Sequence, residues 1–129
     1  TLYARTEVKG KSIMLHRLII DAPPEMEVDH IDGDGLNCTR LNLRLATISQ
    51  NQMNRGPQKN GSSCGYKGVT YRYRNRRNKW EAQIEINGDK RFLGNFDNPE
   101  GAALAYDRAA KELHADFAYL NFPELGDDL

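Results

Sequence analysis

The stretch Val28–Asn37, VDHIDGDGLN, sets one imidazole, His30, among three carboxylates, Asp29, Asp32 and Asp34, with Gly33 and Gly35 interleaved. Such a set can hold calcium, catalyse hydrolysis, or merely edge a hairpin. Spacing excludes calcium. An EF-hand loop opening at Asp32 would place Leu36 at its fifth position, Asn37 where glycine is required and Leu43 where the bidentate glutamate belongs. Hydrolysis fits better. Cutting a phosphodiester needs a base to deprotonate water and a cation to offset charge on the phosphorane and the leaving oxygen. An imidazole titrates near neutrality, so His30 suits the base. A carboxylate, an asparagine amide oxygen and waters suit Mg²⁺, a hard ion.

These side chains need elements to position them. Val28–Ile31 reads as a short strand, Asp32–Gly35 as a turn and Asn42–Ala46 as a second strand. Thr47–Asn54 reads as a helix, with Thr47 as cap and Gln50 three residues on, a capping box. Neighbours on a strand point to opposite faces, so Asp29 and His30 serve one centre only if the backbone bends. A twisted hairpin beside a helix supplies that bend. Upstream, the apolar run in SIMLHRLIIDAPP ends at Pro23-Pro24 and is too short for its period to choose between helix and strand.

The chain has 129 residues, 39% hydrophobic, with four Phe and one Trp, which favours two small modules over one large core. Gly, Ser, Asn and Pro crowd NRGPQKNGSSCGYKG, residues 54–68, and mark a connection. The expected division is 1–56, a linker at 57–64, and 65–129. Cys38 and Cys64 stand far apart, without zinc spacing or a disulfide framework, as expected in a reducing, intracellular setting. No apolar run approaches the roughly 18 residues that span a bilayer, and no secretory pattern opens the chain, so no membrane partner is expected. Net charge is zero, but residues 57–96 carry nine basic and three acidic side chains, and residues 97–129 two basic and eight acidic. A basic middle is what contact with phosphates requires; a solvated strand face is the alternative.

In the second module GVTYRYR (68–74), KWEAQIEI (79–86) and KRFLGNF (90–96) alternate as strands do. Asn87-Gly88 predicts a tight hairpin. Asn98, Pro99 and Glu100 predict a helix start, followed by the small-residue stripe Ala102, Ala103, Tyr106, Ala109, Ala110 and Leu113. The expectation is α+β: a three-stranded antiparallel sheet on one helix, behind an N-terminal ββα module. Such a sheet can enter a major groove, where arginine reads guanine or phosphate and glutamine reads adenine.

The ordered set in VDHIDGDGLNCTRLNLRLATISQNQMN, with LHRLI ahead of it, resembles the HNH endonucleases of the homing and phage type that lack structural zinc. The resemblance covers roughly residues 12–55. It implies a ββα-metal nuclease in which His30 is the general base. Asp29 and Asn51 would hold one divalent cation per site, Mg²⁺ or Mn²⁺. Asn42 would fix the loop and the orientation of His30. Asn51 stands where many members carry histidine, and Asn54 is a rival ligand. Asp32 and Asp34 read as turn residues, His16 as a packing or DNA-touching residue, and His114 as a partner for a helix C-terminus.

Residues 65–123, through YKGV, KWEAQI, FLGNFDNPEGAALAYDRAA and LNFP, resemble the plant ethylene-response-factor (APETALA-two) DNA-binding domain. That resemblance puts Lys67, Arg72, Gln83, Lys90 and Phe92 at DNA-facing positions. Arg17, Arg74, Arg76, Arg77, Lys79 and Arg91 join them on charge, while Trp80 is open between contact and core. Thr70 and Glu85 stand where arginines are common in the plant factors, and Gln83 where glutamate is common, so a GC-rich target does not carry over. The expected activity is metal-dependent, site-directed cleavage of double-stranded DNA, nicking by default because a monomer has one active site. A dimer would be needed for a double-strand break in one event. The expected location is the bacterial or phage-infected cytoplasm. The alternative is a DNA-binding protein with an inactive nuclease module; an RNA-acting nuclease is a third reading.

Overall fold

The computed structural model describes residues 2–57, 64–74 and 77–129, apart from the side chains of residues 74, 77 and 78. The chain divides into two compact units, Thr1–Asn54 and Arg55–Leu129.

The first unit opens with an antiparallel hairpin, β1 (Arg5–Val8) and β2 (Lys11–Met14), which runs directly into a short helix, α1 (Leu15–Ile19). The undecided apolar run is therefore part strand and part helix. The hairpin turns at Lys9-Gly10, both at positive φ (49° and 75°), the twist that a two-residue turn between strands demands. Next come β3 (Glu27–His30) and β4 (Leu43–Ala46), antiparallel, with Asp29 opposite Arg44 and His30 opposite Leu43. Helix α2 (Ile48–Met53) follows, closed by the expected capping box: the Thr47 hydroxyl accepts from the Gln50 amide, and Gln50 Oε1 accepts from the Thr47 amide. α2 packs on β3 and β4, so the strand that carries Asp29 and His30 is backed by a helix.

The second unit is a three-stranded antiparallel sheet, β5 (Val69–Arg74), β6 (Arg77–Ile86) and β7 (Asp89–Phe96), packed on α3 (Pro99–Leu113). Asn87-Gly88 makes the β6–β7 turn at positive φ, and Asn98 caps α3 by accepting from the Gly101 amide at 2.7 Å. The core lies between the helix and one sheet face. Val69, Ala82, Ala102 and Ala103 form one cluster, and Ile84, Tyr106 and Ala110 another. Alanines on α3 let the helix approach the sheet closely. Gly68 must be glycine twice over: its φ is +77°, and a Cβ there would lie 2.0 Å from the Tyr106 ring. Asp107, fully buried, accepts from the backbone amides of Asn121 and Phe122, both at 2.8 Å, and from Asn121 Nδ2 at 3.1 Å. Asn121 in turn clasps the backbone of Lys67 through its amide oxygen (2.7 Å) and nitrogen (3.1 Å). The C-terminal segment is thus tied to both the helix and the loop that leads into the sheet.

Candidate active site and nucleic-acid interface

Asp29 and His30 close β3, and both are buried, at 3% and 5% exposure. A carboxylate that far from water needs partners. Arg44, directly across the β-ladder, donates from Nε to Asp29 Oδ2 at 2.7 Å. Asn54, just past α2, points its Nδ2 at both carboxylate oxygens (3.0 and 3.2 Å) and at the carbonyls of His30 (3.0 Å) and Ile31 (3.4 Å). Every neighbour of that nitrogen is an acceptor, so Asn54 faces the site as a donor, a clamp on β3 rather than an oxygen ligand. Asn51 lies one turn earlier on α2 and is half-buried.

Asn42 is buried and fixes the turn. Its Oδ1 accepts from the Asp32 amide at 3.1 Å, while its Nδ2 donates to Asp32 Oδ1 (2.8 Å) and to the Asn37 carbonyl (2.9 Å). Asp32 also accepts from the Asp34 amide (2.8 Å) and from Asn37 Nδ2 (2.7 Å), and Asp34 from the Leu36 amide (3.0 Å). Both acids shape the turn. Hydrogen bonds from Asn37 and the Asp34 amide hold the Asp32 carboxyl below its usual range, with Asn42 adding to the effect.

His30 is packed by aromatic and thiol neighbours that sequence reasoning did not connect to it. The His16 ring meets it edge-on at 4.9 Å between centroids, Tyr3 lies at 5.8 Å, and Cys38 Sγ is 3.9 Å from His30 Nε2. Burial, then the nearby His30 and Arg17, lowers the His16 pKa, which favours a neutral ring. Arg17, expected on DNA, has an internal task instead: its terminal nitrogens donate to the carbonyls of Met26 (2.9 Å) and Pro23 (2.8 Å), tying α1 to the segment that enters β3.

A hard cation is implied by the set Asp29 and Asn51. The donor chemistry fits: a buried carboxylate at the face of a helix that carries amide side chains, all oxygen donors. Arg44 is the counter-ion already in place on that carboxylate.

In the second unit the register decides which expected contacts face away from α3. Thr70 pairs with Glu81, Arg72 with Lys79, Gln83 with Phe92 and Glu85 with Lys90, so these residues share the outer row. Phe92 is 62% exposed there, unusual for an aromatic ring. A bulge between Ala82 and Gln83 leaves Leu93 as the extra residue, turned to the core. Arg72 lies 4.0 Å from Glu81, and Lys79 pairs with Asp97.

Two expectations are corrected. Trp80 lies on the helix-side row against the core, with its ring 4.9 Å from Tyr71. Arg91 pairs with Ile84 and so belongs to that inner row as well, though exposed. Lys67 is not on the sheet. Its ammonium sits 5.6 Å from the Tyr119 ring centre, and burial, then Arg55, pushes its pKa down to about 8. Arg74 and Arg77 face each other at the end of the β5–β6 ladder, and Arg76 lies outside the described residues. His114 caps α3, and its Nε2 donates to the Glu85 carbonyl at 2.8 Å. Neither cysteine is in a disulfide. Among the described residues no helix is long and apolar enough to cross a membrane.

Comparison with known proteins agrees with this division. Residues 14–53 match the HNH endonuclease family and residues 64–116 the AP2 domain. A protein named as an uncharacterized HNH endonuclease in Acanthamoeba polyphaga mimivirus is 37% identical over 115 residues, 84% of this chain and 57% of the relative. Protein 3.8 of Escherichia phage T7 is 34% identical over 96 residues, 74% of this chain and 76% of the phage protein. The dehydration-responsive element-binding protein 2D of Arabidopsis thaliana is 49% identical over 65 residues, covering 49% of this chain and 30% of the plant protein. The chain thus spans little more than half of the mimivirus relative and under a third of the plant one. No solved structure matches it. With the ββα unit in front and the sheet-on-helix unit behind, the chain belongs to the HNH endonuclease family, in a form that carries an AP2 domain after the HNH domain.

Proposed function

We propose that the chain is a divalent-cation-dependent DNA endonuclease of the homing or phage type, which nicks duplex DNA at sites chosen by its C-terminal sheet. The carrying observation is the pair at the end of β3: Asp29 and His30, buried side by side and braced by Arg44 and Asn54. In this reading His30 takes the proton from the attacking water, a role worth about 10²–10⁴ in rate. Asp29 and Asn51 hold the cation, Mg²⁺ or Mn²⁺, which when bound offsets charge on the phosphorane and the leaving oxygen. Asn42 keeps the Asp32 turn closed and so holds His30 at the strand end; Asn54 clamps the two residues' backbone to α2. The nuclease module occupies 1–56 and the DNA-reading module 65–129, with 57–64 between them.

The outer row of the sheet supplies the contacts: Arg72, Lys79 and Lys90 for phosphate or guanine, Gln83 for a base edge, and Phe92 for apolar contact with a thymine methyl or sugar. Lys67, Arg74, Arg76 and Arg77 add positive charge around it. A-form RNA has a major groove too narrow for such a sheet, which favours duplex DNA over RNA. One site per chain favours a nick by a monomer. Its place of action is a bacterial or virus-infected cell, in keeping with the phage and mimivirus relatives.

The test is Mg²⁺- or Mn²⁺-dependent nicking of supercoiled DNA, stopped by EDTA and lost in Asp29→Ala, with single-stranded RNA in parallel. DNA binding without cleavage in either metal would leave the binding-protein reading in its place.

A further inference from the structure

We infer that His16, His30 and Cys38 form a second cation site, soft where the first is hard, which takes zinc and silences the chain by occupying a ring nitrogen of His30. The silencing rests on His30 as the base; the site itself does not. The three residues come from three separate stretches: α1, the end of β3, and the segment after the Asp32 turn. One ligand atom from each lies within 4.8 Å of the other two, and among the described residues no other His, Cys, Asp or Glu trio meets this test.

The closest measured pair, His30 Nε2 to Cys38 Sγ, is 3.9 Å apart. In a tetrahedral zinc site neighbouring nitrogen and sulfur ligands lie roughly 3.3–3.6 Å apart, given the Zn–N and Zn–S bond lengths. Side-chain shifts of about an ångström therefore close the trio on an ion. The two imidazoles meet at 79°, edge to face rather than stacked. His16 is 8% exposed, and its Nδ1 is buried without a hydrogen-bond partner. A buried polar atom left unpaired costs stability and calls for an explanation, such as an unplaced ion.

Two imidazoles and a thiolate select zinc over magnesium. On binding, the Cys38 S–H bond breaks, an S–Zn bond forms, and the proton leaves to solvent. Two histidines and one cysteine leave a fourth position for water. Magnesium prefers the oxygens of Asp29 and Asn51, so excess Mg²⁺ does not displace zinc. The two sites are adjacent in sequence through Asp29 and His30 but differ in hardness, and zinc at one disables the other's base.

Cobalt(II) titrated into the full chain reads the site independently of activity, through the thiolate-to-cobalt charge-transfer band in the near ultraviolet. The expected result is one equivalent bound and displaced by zinc, with the band lost in Cys38→Ser and retained in Cys64→Ser. No band, or loss in Cys64→Ser with retention in Cys38→Ser, overturns the site. Nicking is then read with and without one equivalent of zinc at excess Mg²⁺, each protein against itself. The parent falls to background, while Cys38→Ser keeps its own rate. Undiminished nicking by zinc-loaded parent overturns the silencing. An inert parent overturns the proposed function and the silencing with it, and the cobalt band still decides the site.

Discussion

Replacing Arg44 by methionine isolates the charge balance at Asp29. The Asp29 side chain is 4% exposed and Arg44 21%, with 2.7 Å between Nε and Oδ2. Removing one partner of a fully buried pair costs about 3–5 kcal/mol, because the other charge is stranded. Arg44 is partly wet and Asn54 still donates to the carboxylate, so we expect about 2–3 kcal/mol. That is roughly a 30- to 150-fold rise in the opening equilibrium of the β3–β4 ladder. Hydrogen exchange of the β3 and β4 backbone amides measures it locally, which matters because the only Trp lies in the other unit. The cation supplies the second arm. A ligand at a hundred times its Kd stabilises by about 2.7 kcal/mol, less whatever the resident counter-ion offsets. Saturating Mg²⁺ should therefore restore more protection in Arg44→Met than it adds in the parent. Parental exchange rates in the variant without metal would refute the reasoning about Arg44. Restoration no larger than the parent's gain would refute competition between Arg44 and the cation.

Asp107→Ala strands two backbone amides and the Asn121 amide, each in a bond to a charged acceptor. At about 1.5–3 kcal/mol each, and with incomplete loss, it should cost at least about 3 kcal/mol and lower the Tm of the second unit by more than about 10 °C; Trp80 fluorescence reads this, and an unchanged Tm contradicts it. Phe92→Ala, at an exposed position, should leave that Tm within a few degrees while weakening DNA binding; unchanged affinity would remove the outer row from the interface. Binding itself should weaken steeply with salt, with Lys90→Ala lowering the log–log slope by about 0.9. For pH, burial lowers the His114 pKa from its ordinary 6.5, against the bond to Glu85, with Lys67 adding to the lowering. The unfolded ring then takes up a proton that the folded ring refuses, so stability of the second unit holds above about 6.5 and declines as pH falls below it. His114→Gln should flatten that decline in thermal melts.

Local chemistry was readable wherever one residue type has one job. Thr47 with Gln50, Asn87-Gly88 and Asn98-Pro99 each announced a cap or a turn, and each sits where expected. The Lys9-Gly10 turn was not readable, because lysine at positive φ is rare and only the glycine hinted at it. Of the site, Asp29, His30 and the Asp32 turn were legible because they lie in one short run. Arg44 was not, although it follows once Asp29 is known to face it across the ladder. His16 and Cys38 reach His30 only through tertiary folding, and no spacing rule links positions 16, 30 and 38. Arg17 shows the opposite failure: charge suggested DNA, but two carbonyls claim its guanidinium. Arg91 was misplaced by charge as well, since a two-residue turn at Asn87-Gly88 sets it opposite Ile84.

The central claim is that His30 is the base of a nuclease. The direct measurement is single-turnover nicking of supercoiled DNA in Mg²⁺ by the parent and by His30→Ala, with DNA affinity measured on both. The account predicts a loss of about 10²-fold or more in the nicking rate with affinity retained. Equal nicking by the two proteins would contradict it.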